Sequence, residues 1–415
     1  MKSKFIYLLC TIGSLYCIDA SALANTNTAS FQTLYNFGTN KVDGGKPIVG
    51  LFQAKDGTLY GATSTGLING KLESAIGGTI FSITSSGVES TIYSFHNKVL
   101  GNFLSTPLIQ VNNNIYGGSI FGGESGFGNV YKLSANDNKF TVNNVISFNY
   151  GVDGAGLIGN LVSDANGNIY GTTMQGGSLD AGTVFKITPD NQLTILHTFT
   201  GKYKDGISPQ ELVMGKDGLL YGITTFGGYG VNLCYNEQDP SITGCGTIFS
   251  INPVTGEYTL LHRFSGATVH SVRIPLAIVF GSDNNLYGVA LGGATGAGAF
   301  YKYDLTSKKL TTLYSFNPTI DGLLPNNLIQ SITDGNFYGT TPEGGSKKTG
   351  VGTVFQLPQT CMNGPQECKV TVLHSFTGND GALPSGIFEA NDGNLYGVTQ
   401  FGGTLNFGTV FTIKK

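Results

Sequence analysis

The sequence predicts an all-β fold, a seven-bladed β-propeller with four antiparallel strands in each blade, on three observations. A Tyr-Gly step recurs seven times along the 415 residues within one repeating frame. Runs rich in Val, Ile, Thr, Tyr and Phe surround each step, and Asp-Gly, Asn-Gly or Gly-Gly separates the runs, as strands and turns require. No helical periodicity lasts beyond one turn. Four-stranded repeats of roughly 50 residues are typical of propeller blades. The steps begin at Tyr60, Tyr116, Tyr170, Tyr221, Tyr287, Tyr338 and Tyr396.

The fourth repeat shows the four strands most plainly. They are predicted at residues 211–214, 219–224, 246–251 and 259–264. Asp217-Gly218 joins the first two strands, where a two-residue hairpin needs positive φ. The same order divides residues 25–415, which we expect to form a single domain, into seven repeats. Their predicted bounds are about 33–90, 91–143, 144–193, 194–258, 259–310, 311–370 and 371–415.

The two ends of the chain together supply one complete blade. The last repeat stops after its third strand, Gly408–Ile413, and lacks a fourth. Phe31–Phe37 has the fourth-strand pattern and precedes the first complete repeat. We therefore expect this N-terminal strand to complete the last blade, which would remove a free sheet edge that invites aggregation. A solenoid would instead leave two exposed ends that need caps.

The first 24 residues have the composition of a secretory signal peptide. Lys2 and Lys4 form a positive end, residues 5–18 are apolar, and Ala22-Leu23-Ala24 fits the small-residue cleavage pattern. The sequence predicts cleavage after Ala24 and a secreted or periplasmic protein, and an uncleaved anchor is the alternative. The apolar segment is too short to cross a bilayer as a helix, so we expect no stable membrane span.

Four cysteines remain beyond the signal segment. They form two close pairs in the sequence, Cys234 with Cys245 and Cys361 with Cys368, inside polar insertions. In an exported protein four cysteines allow three pairings, and short loop closure favours the two local disulfides. A metal site built from all four thiolates is the alternative, although these spacings differ from the Cys-x2-Cys steps that are usual for zinc.

The repeating frame resembles that of the GloVer tandem-repeat family. Members of this family carry the same unit, Leu-Tyr-Gly-x-Thr, Gly-Gly, Gly-Thr-Val-Phe and Leu-His-Ser-Phe, and the likeness covers about residues 31–415. The resemblance implies an exported β-propeller, and it brings no reaction or catalytic residue with it. Many members end in a variable surface anchor. Because this chain stops at Lys415 within a strand, we expect a form without that anchor.

Composition and motifs exclude several functional classes. Charged residues make up 12% of the chain and the formal net charge is −3. Nucleic-acid binding needs a surplus of Lys and Arg to release counterions, so we expect no nucleic-acid partner. The sequence contains no G-x-S-x-G, no H-E-x-x-H and no phosphate-binding loop.

One histidine is a candidate for catalysis. His197, His262 and His374 share a repeat position that elsewhere holds Tyr or Ile, which indicates packing or a sheet edge rather than a general base. His270 and Arg273 lie instead in the connector between the fourth and fifth repeats, where the usual Asp-Gly is absent. We interpret His270 as a candidate base and Arg273 as a charge stabiliser. The alternative is a solvated loop histidine.

Five connectors between repeats carry an aspartate. In propeller geometry these connectors open on the same face as the loops between second and third strands. The sequence therefore predicts a ligand-binding face whose carboxylates could hold Ca²⁺ or accept hydrogen bonds from sugar hydroxyls. The alternative is that each aspartate bonds its own turn. The five residues are Asp43, Asp153, Asp205, Asp321 and Asp380.

Taken together, these observations predict a monomeric, non-enzymatic binding module whose loops recognise a polysaccharide or a surface protein. One alternative is a lyase or hydrolase acting on a carbohydrate or a cyclic peptide. Glycoside hydrolysis needs paired carboxylates, which Glu211, Glu237 and Glu343 could supply, although nothing in the sequence selects them. The other alternative is a protein-interaction scaffold. We expect no cofactor apart from Ca²⁺ at the aspartate face.

Overall fold

The protein is a seven-bladed β-propeller, as the sequence predicts. The computed structural model describes residues 29–40, 42–68, 71–73, 77–97, 99–136, 139–201, 205–228, 234, 243–268, 270–345 and 350–415. These residues form no α-helix, and seven sheets each contain four antiparallel strands that pair side by side. Two short 3-10 helices, Gln359–Asn363 and Pro365–Glu367, lie in one loop of the sixth blade.

The first three blades follow one another along the chain. The described residues begin with β1 (Ser30–Asn36) and β2 (Gly44–Gly45), which precede blade 1. Listed from the inner to the outer strand, blade 1 has β3 (Phe52–Gln53), β4 (Leu59–Thr63), β7 (Thr79–Ile83) and β8 (Glu89–Ser94). Between β4 and β7, the strands β5 (Thr65–Ile68) and β6 (Lys71–Glu73) form a small separate sheet with β2.

Blade 2 has β10 (Ile109–Val111), β11 (Asn114–Phe121), β12 (Asn129–Asn136) and β13 (Lys139–Ser147), and β9 (Asn102–Leu104) also pairs with β11. Blade 3 has β14 (Ala155–Ser163), β15 (Ile169–Gln175), β16 (Thr183–Ile187) and β17 (Leu193–Thr198).

Blades 4 to 6 repeat the same order. Blade 4 has β18 (Gly206–Met214), β19 (Leu220–Gly227), β20 (Thr247–Ile251) and β21 (Tyr258–Arg263). Blade 5 has β22 (Arg273–Phe280), β23 (Leu286–Leu291), β24 (Ala299–Tyr303) and β25 (Leu310–Ser315). Blade 6 has β26 (Asn327–Gln330), β27 (Phe337–Thr341), β28 (Thr353–Leu357) and β29 (Thr371–Ser375).

Blade 7 combines residues from both ends of the described chain. Its inner strands are β30 (Ala382–Glu389), β31 (Leu395–Phe401) and β32 (Thr409–Lys414), and β1 is the outermost strand. β1 runs antiparallel to β32, from Ser30 opposite Lys414 to Asn36 opposite Thr409. Every one of the seven sheets therefore has a fourth strand.

One aromatic contact recurs at all seven junctions between blades. The phenylalanine that follows each fourth strand packs against an aromatic ring on the third strand of the next blade, and every ring is almost fully buried. The ring centroids lie 4.9 to 5.5 Å apart in edge-on or tilted arrangements, which aromatic quadrupoles favour. The pairs are Phe37–Phe81, Phe95–Tyr131, Phe148–Phe185, Phe199–Phe249, Phe264–Tyr301, Phe316–Phe355 and Phe376–Phe411.

The glycine of the Tyr-Gly step makes room for the third-strand ring. In blade 4 a Cβ added at Gly222 would lie 2.4 Å from the ring of Phe249 and 2.8 Å from Leu212. No side chain fits in that space, so the ring can lie across the second strand and reach the inner strand. This packing explains why Tyr is always followed by Gly in the repeat.

The tyrosine of the step holds the turn between the first and second strands. In five blades its hydroxyl donates a hydrogen bond of 2.6 to 2.9 Å to the aspartate of that turn. The same aspartate also accepts a backbone N–H two or more residues further on, as in a typical Asx turn. The pairs are Asp164–Tyr170, Asp217–Tyr221, Asp283–Tyr287, Asp334–Tyr338 and Asp392–Tyr396.

Candidate functional site

The strand order gives the propeller two different faces. Turns between strands one and two and between strands three and four lie at one end of the blades, which we call the hairpin face. Loops between strands two and three and the connectors between blades lie at the other end, which we call the connector face. In blade 4 the turns at 215–219 and 252–257 belong to the hairpin face, whereas the connector at 264–272 belongs to the connector face.

A large cavity opens on the hairpin face. It has a volume of about 750 Å³ and lies between the turns of blades 4, 5 and 6. We call it the hairpin cleft. Ile332 stands at its edge with 96% of its surface exposed. The cleft is lined by Lys216, by residues 279–282 and 329–335, and by Gln359.

The cleft begins at the junction of blades 4 and 5, where an aromatic contact replaces a hydrogen bond that joins other neighbouring blades. In four blades a Gln or Glu near the end of the inner strand accepts a backbone N–H from a turn of the preceding blade, over 2.7 to 2.9 Å. These acceptors are Gln53, Gln110, Gln330 and Glu389. Blade 5 has Phe280 at the corresponding place, and its ring packs edge-on against Tyr221 at 5.2 Å. An aromatic side chain therefore forms part of the wall between blades 4 and 5, next to the exposed Lys216.

One side of the cleft carries a small charged network. Lys415 donates to Glu389 Oε1 over 2.6 Å and to Asp334 Oδ2 over 3.0 Å, and its Nζ lies 4.9 Å from the Tyr338 ring centre. Burial alone would raise the pKa of Asp334 and of Glu389. Hydrogen bonds from neighbours, including Lys415, outweigh burial and lower both pKa values. Both carboxylates are therefore ionised at neutral pH.

A second, smaller cavity lies in the central channel. It has a volume of about 220 Å³, and its lining comes from the inner strands of the blades and the residues just before them, in all seven blades, with Gln400 placing it toward the connector face. We call it the channel pocket. Most of its lining side chains are polar, and Glu211 is the one ionisable residue among them. They include Ser105, Asn160, Gln210, Glu211, Asn326, Asn327, Ser385 and Gln400.

Glu211 occupies the place of an amide that joins two blades elsewhere. Its Oε2 accepts the backbone N–H of Ile278 in blade 5 over 3.0 Å. Asn327 makes the same contact in blade 6, where its Oδ1 accepts the N–H of Ile387 over 3.1 Å. Burial raises the pKa of Glu211 to about 7, although the Ile278 bond opposes the change. The buried hydroxyl of Tyr301 has no hydrogen-bond partner among the described residues, and burial first and the Glu211 charge second raise the pKa of Tyr301.

Four of the five connector aspartates bond within their own connector. Each accepts the N–H of the residue after the fourth-strand phenylalanine, over 2.8 to 3.0 Å. Each also bonds the Tyr or His that precedes this phenylalanine by two residues. The pairs are Tyr35–Asp43, His197–Asp205, Tyr314–Asp321 and His374–Asp380. These contacts match the turn interpretation of the aspartates, and their role in ligand binding stays a prediction.

The fifth aspartate follows a different fourth strand. Ile146 stands where Tyr or His precedes the other connectors, so it offers Asp153 no polar partner. Asp153 is half-buried, and its backbone carbonyl accepts a hydrogen bond from Thr183 over 2.8 Å. The sequence analysis missed this pairing between the fourth strand and the connector. The signal that could have found it was the joint presence of a Tyr or His and an aspartate six to eight residues later.

The candidate catalytic residues lie on the connector face. His270 is in an exposed turn, and Arg273 begins β22 opposite Leu291. Neither residue lines the hairpin cleft or the channel pocket. His262 precedes this connector and is half-buried, and burial lowers its pKa to about 4. A catalytic role of His270 and Arg273 stays a prediction.

Of the three glutamates considered for glycoside hydrolysis, the two that the structure describes do not form a pair. Glu211 lines the channel pocket, whereas Glu343 is exposed in the loop between the second and third strands of blade 6. Glu237 lies outside the described residues, as does the predicted signal segment 1–24. Within the described part of the chain, no three His, Cys, Asp or Glu side chains are grouped to hold a metal ion.

The four cysteines form the two predicted local disulfides, Cys234–Cys245 and Cys361–Cys368. The first lies beside the connector that contains His270, because a Cβ on Gly266 would lie 2.1 Å from Cys245 Sγ. The second closes the loop of blade 6 that supplies Gln359 to the hairpin cleft. Pairing of all four thiols in disulfides replaces the alternative of a thiolate metal site. No helix among the described residues has the length and apolar character needed to span a membrane.

Comparison with solved structures finds other propellers at low identity. An oxidoreductase (glucose dehydrogenase) from Thermus thermophilus, a provisional assignment, is 14% identical with a TM-score of 0.49, covering 93% of this chain and 100% of that chain. A provisionally assigned 6-phosphogluconolactonase from Bacteroides uniformis is 14% identical with a TM-score of 0.49, covering 79% and 84%. A chain of a nidogen/laminin complex is 12% identical with a TM-score of 0.42, covering 71% and 94%. Likeness at this level says nothing about ligand or activity.

Comparison at the sequence level identifies the family. No curated protein matches this chain. The family model for the Gloeobacter/Verrucomicrobia repeat matches residues 12–234 and 230–415, nearly the whole sequence. The matched segments contain the Tyr-Gly steps and the fourth-strand phenylalanines whose packing defines the blades. The chain therefore belongs to the Gloeobacter/Verrucomicrobia repeat family.

Proposed function

We propose that this protein is an exported binding module that holds a neutral polysaccharide in the hairpin cleft. The observation that carries the proposal is the shape and lining of that cleft, a 750 Å³ opening across three blades. Ligand sites are typically concave, within the range of about 300–1,000 Å³, and combine apolar surface with a few polar groups. The two disulfides fit an oxidising compartment outside the cytosol.

The chemistry of the lining suits sugar rings. Phe280 offers an apolar surface to the C–H side of a ring, and Gln359 and Ser282 are exposed beside it to donate and accept hydrogen bonds. The carboxylates of Asp334 and Glu389 are already neutralised in part by Lys415. The exposed Lys216 adds a second positive charge to the lining, so that two lysines stand against two carboxylates and the charges balance, which is why we propose a neutral chain.

A glycan array followed by calorimetric titration tests the proposal, with and without Ca²⁺ because the aspartate face is predicted to accept that ion. Lys216→Ala and Gln359→Ala remove exposed polar groups from the cleft wall. We expect each to weaken glycan binding about 2- to 10-fold, the range for one hydrogen bond. Lys55→Ala is the matched control, because Lys55 precedes the Asp-Gly turn of blade 1 as Lys216 does in blade 4. Absence of any glycan ligand, or equal affinity in all three variants, would contradict the proposal.

A specific observation favours a second candidate function, the protein-interaction scaffold. Nine large apolar side chains are exposed on the connector face, and six of them lie on blades 2 and 3 or the connectors beside them. Surface patches of this kind are typical of protein contacts. The nine are Val42, Val99, Phe103, Phe121, Phe127, Val152, Leu179, Ile320 and Leu405. Phe121→Ser would reduce binding to a protein partner and leave glycan binding in the cleft unchanged.

A further inference from the structure

We infer that the channel pocket is a second binding site, which holds one small, uncharged, polyhydroxylated molecule of monosaccharide size. This inference does not rest on the hairpin cleft, because the two cavities share no lining residue. It rests on the size of the channel pocket and on the hydrogen-bonding groups that remain free inside it.

The size of the channel pocket limits its occupant. Its 220 Å³ equals the volume of about seven water molecules at roughly 30 Å³ each. The inner strands leave no room to widen it, because a Cβ on Gly386 would lie 2.5 Å from Gly50 Cα and one on Gly159 would lie 2.2 Å from the Gln210 carbonyl oxygen. The pocket therefore suits one small molecule and excludes an oligosaccharide chain.

Several amides that line the pocket have one side-chain atom bonded within the protein and the other atom unbonded. Asn326 Oδ1 accepts from Thr340, and Asn327 Oδ1 accepts from Ile387, so both Nδ2 groups remain as donors. Gln210 Nε2 donates to Thr225, which leaves its Oε1 as an acceptor. None of these free atoms has a hydrogen-bond partner among the described residues, and none is buried away from solvent.

Glu211 adds one strong acceptor to the same lining. Its Oε2 is engaged by the Ile278 N–H, whereas no described residue bonds its Oε1. The corresponding inner-strand residues are Gly50, Pro107, Asn160, Ala277, Asn327 and Gly386, so this is the only ionisable side chain of that ring. Asn327 already makes the contact between blades without a charge. A glutamate is therefore not needed for the contact itself.

This set of groups selects among ligand classes. Two amide donors disfavour a metal cation, and the carboxyl of Glu211 disfavours an anion. An apolar molecule would leave the amides unsatisfied. A molecule rich in hydroxyls fits, because each hydroxyl both donates and accepts.

Titration calorimetry with glucose, galactose, mannose and myo-inositol as probes tests the inference. We expect at least one probe to bind, Glu211→Gln to retain binding within a few-fold, and Glu211→Ala to weaken it about 10- to 100-fold, as loss of a hydrogen bond to a charged group does. Asn160→Phe, which fills the channel without touching the Ile278 contact, should abolish binding even if Glu211→Ala fails to fold.

Three outcomes would overturn the inference. The first is that none of the probes binds. The second is that Asn160→Phe leaves the affinity for the probes unchanged. The third is that the pocket binds Ca²⁺ or inorganic phosphate instead. Lys216→Ala serves as the control, because it changes the hairpin cleft only. Weaker polysaccharide binding in Lys216→Ala, with unchanged monosaccharide binding, would separate the two proposals.

Discussion

Replacing Glu211 by glutamine should change how stability depends on pH. Burial raises the pKa of Glu211 to about 7 in the folded protein, from an ordinary value of 4.5. Between these two pH values the folded state binds a proton that the unfolded state has released. Stability from this residue is therefore greatest at low pH and falls as the pH rises from 4.5 through 7. Glutamine keeps the acceptor for the Ile278 N–H and removes the titration.

The size of the effect follows from the two pKa values. A rise from 4.5 to about 7 corresponds to about 3 kcal/mol between the low-pH and high-pH limits. Water in the channel reduces this amount, because Glu211 is only partly shielded from solvent. We expect the wild type to lose about 1–3 kcal/mol relative to Glu211→Gln between pH 5 and pH 8.

Urea unfolding at pH 5, 6, 7 and 8 measures this difference, since all other titrating groups cancel between the two proteins. Asn327→Asp provides the reverse experiment, because it introduces a carboxyl at the same inner-strand place in blade 6. This variant should lose stability relative to the wild type as the pH rises. Parallel pH profiles for the wild type and Glu211→Gln would refute the description of Glu211 as a buried carboxyl with a raised pKa.

Three further predictions concern stability and follow from single contacts. Phe37→Ala should destabilise the protein by about 3–5 kcal/mol in urea unfolding, because Phe37 is fully buried at the junction of blades 7 and 1. Tyr396→Phe should cost about 1–2 kcal/mol in the same measurement, because it removes the 2.8 Å hydrogen bond to Asp392. Replacing Cys361 and Cys368 by serine should cost about 2–3 kcal/mol by thermal unfolding and make the protein insensitive to a reductant at this loop.

For each of these three predictions, one result would contradict the reasoning. If Phe37→Ala were as stable as the wild type, the closed circle of blades would not depend on the packing of Phe37 at this junction. Tyr116→Phe is the control for Tyr396→Phe, because the turn of blade 2 carries Asn112-Asn113 and gives the Tyr116 hydroxyl no aspartate partner. Equal losses in the two tyrosine variants would rule out the hydrogen bond as the cause. Unchanged thermal unfolding in the double serine variant would show that the loop is held by its packing.

The repeats made the fold predictable, whereas the sites depend on differences between repeats. The Tyr-Gly step and the fourth-strand phenylalanine recur because each fills a fixed space at every junction, so seven copies identify seven blades. The inner-strand position has no such pattern, with Gly, Pro, Asn, Glu and Ala in different blades. Only the closed ring brings these residues to one axis, which is why the sequence did not single out Glu211 for the channel.

The hairpin cleft could not be read from the sequence for a related reason. Phe280 stands where four blades carry Gln or Glu, and its effect depends on the turn of the neighbouring blade, about 65 residues earlier in the chain. The sequence predicts a ligand-binding site on the connector face because an aspartate recurs in five connectors. Four of them recur because they hold their own connectors, as Asp205 does with Thr200. Recurrence in a repeat protein therefore indicates structure more often than it indicates a site.

The pairing of β1 with β32 has a consequence for biosynthesis. The two strands lie more than 370 residues apart, so β1 is made long before its partner and stays unpaired until β32 is available. During this interval its edge is exposed to other nascent chains, whereas Phe37, which follows β1, is already available to pack against Phe81 of blade 1. A chain that is cut short before β32 has no strand with which β1 can pair.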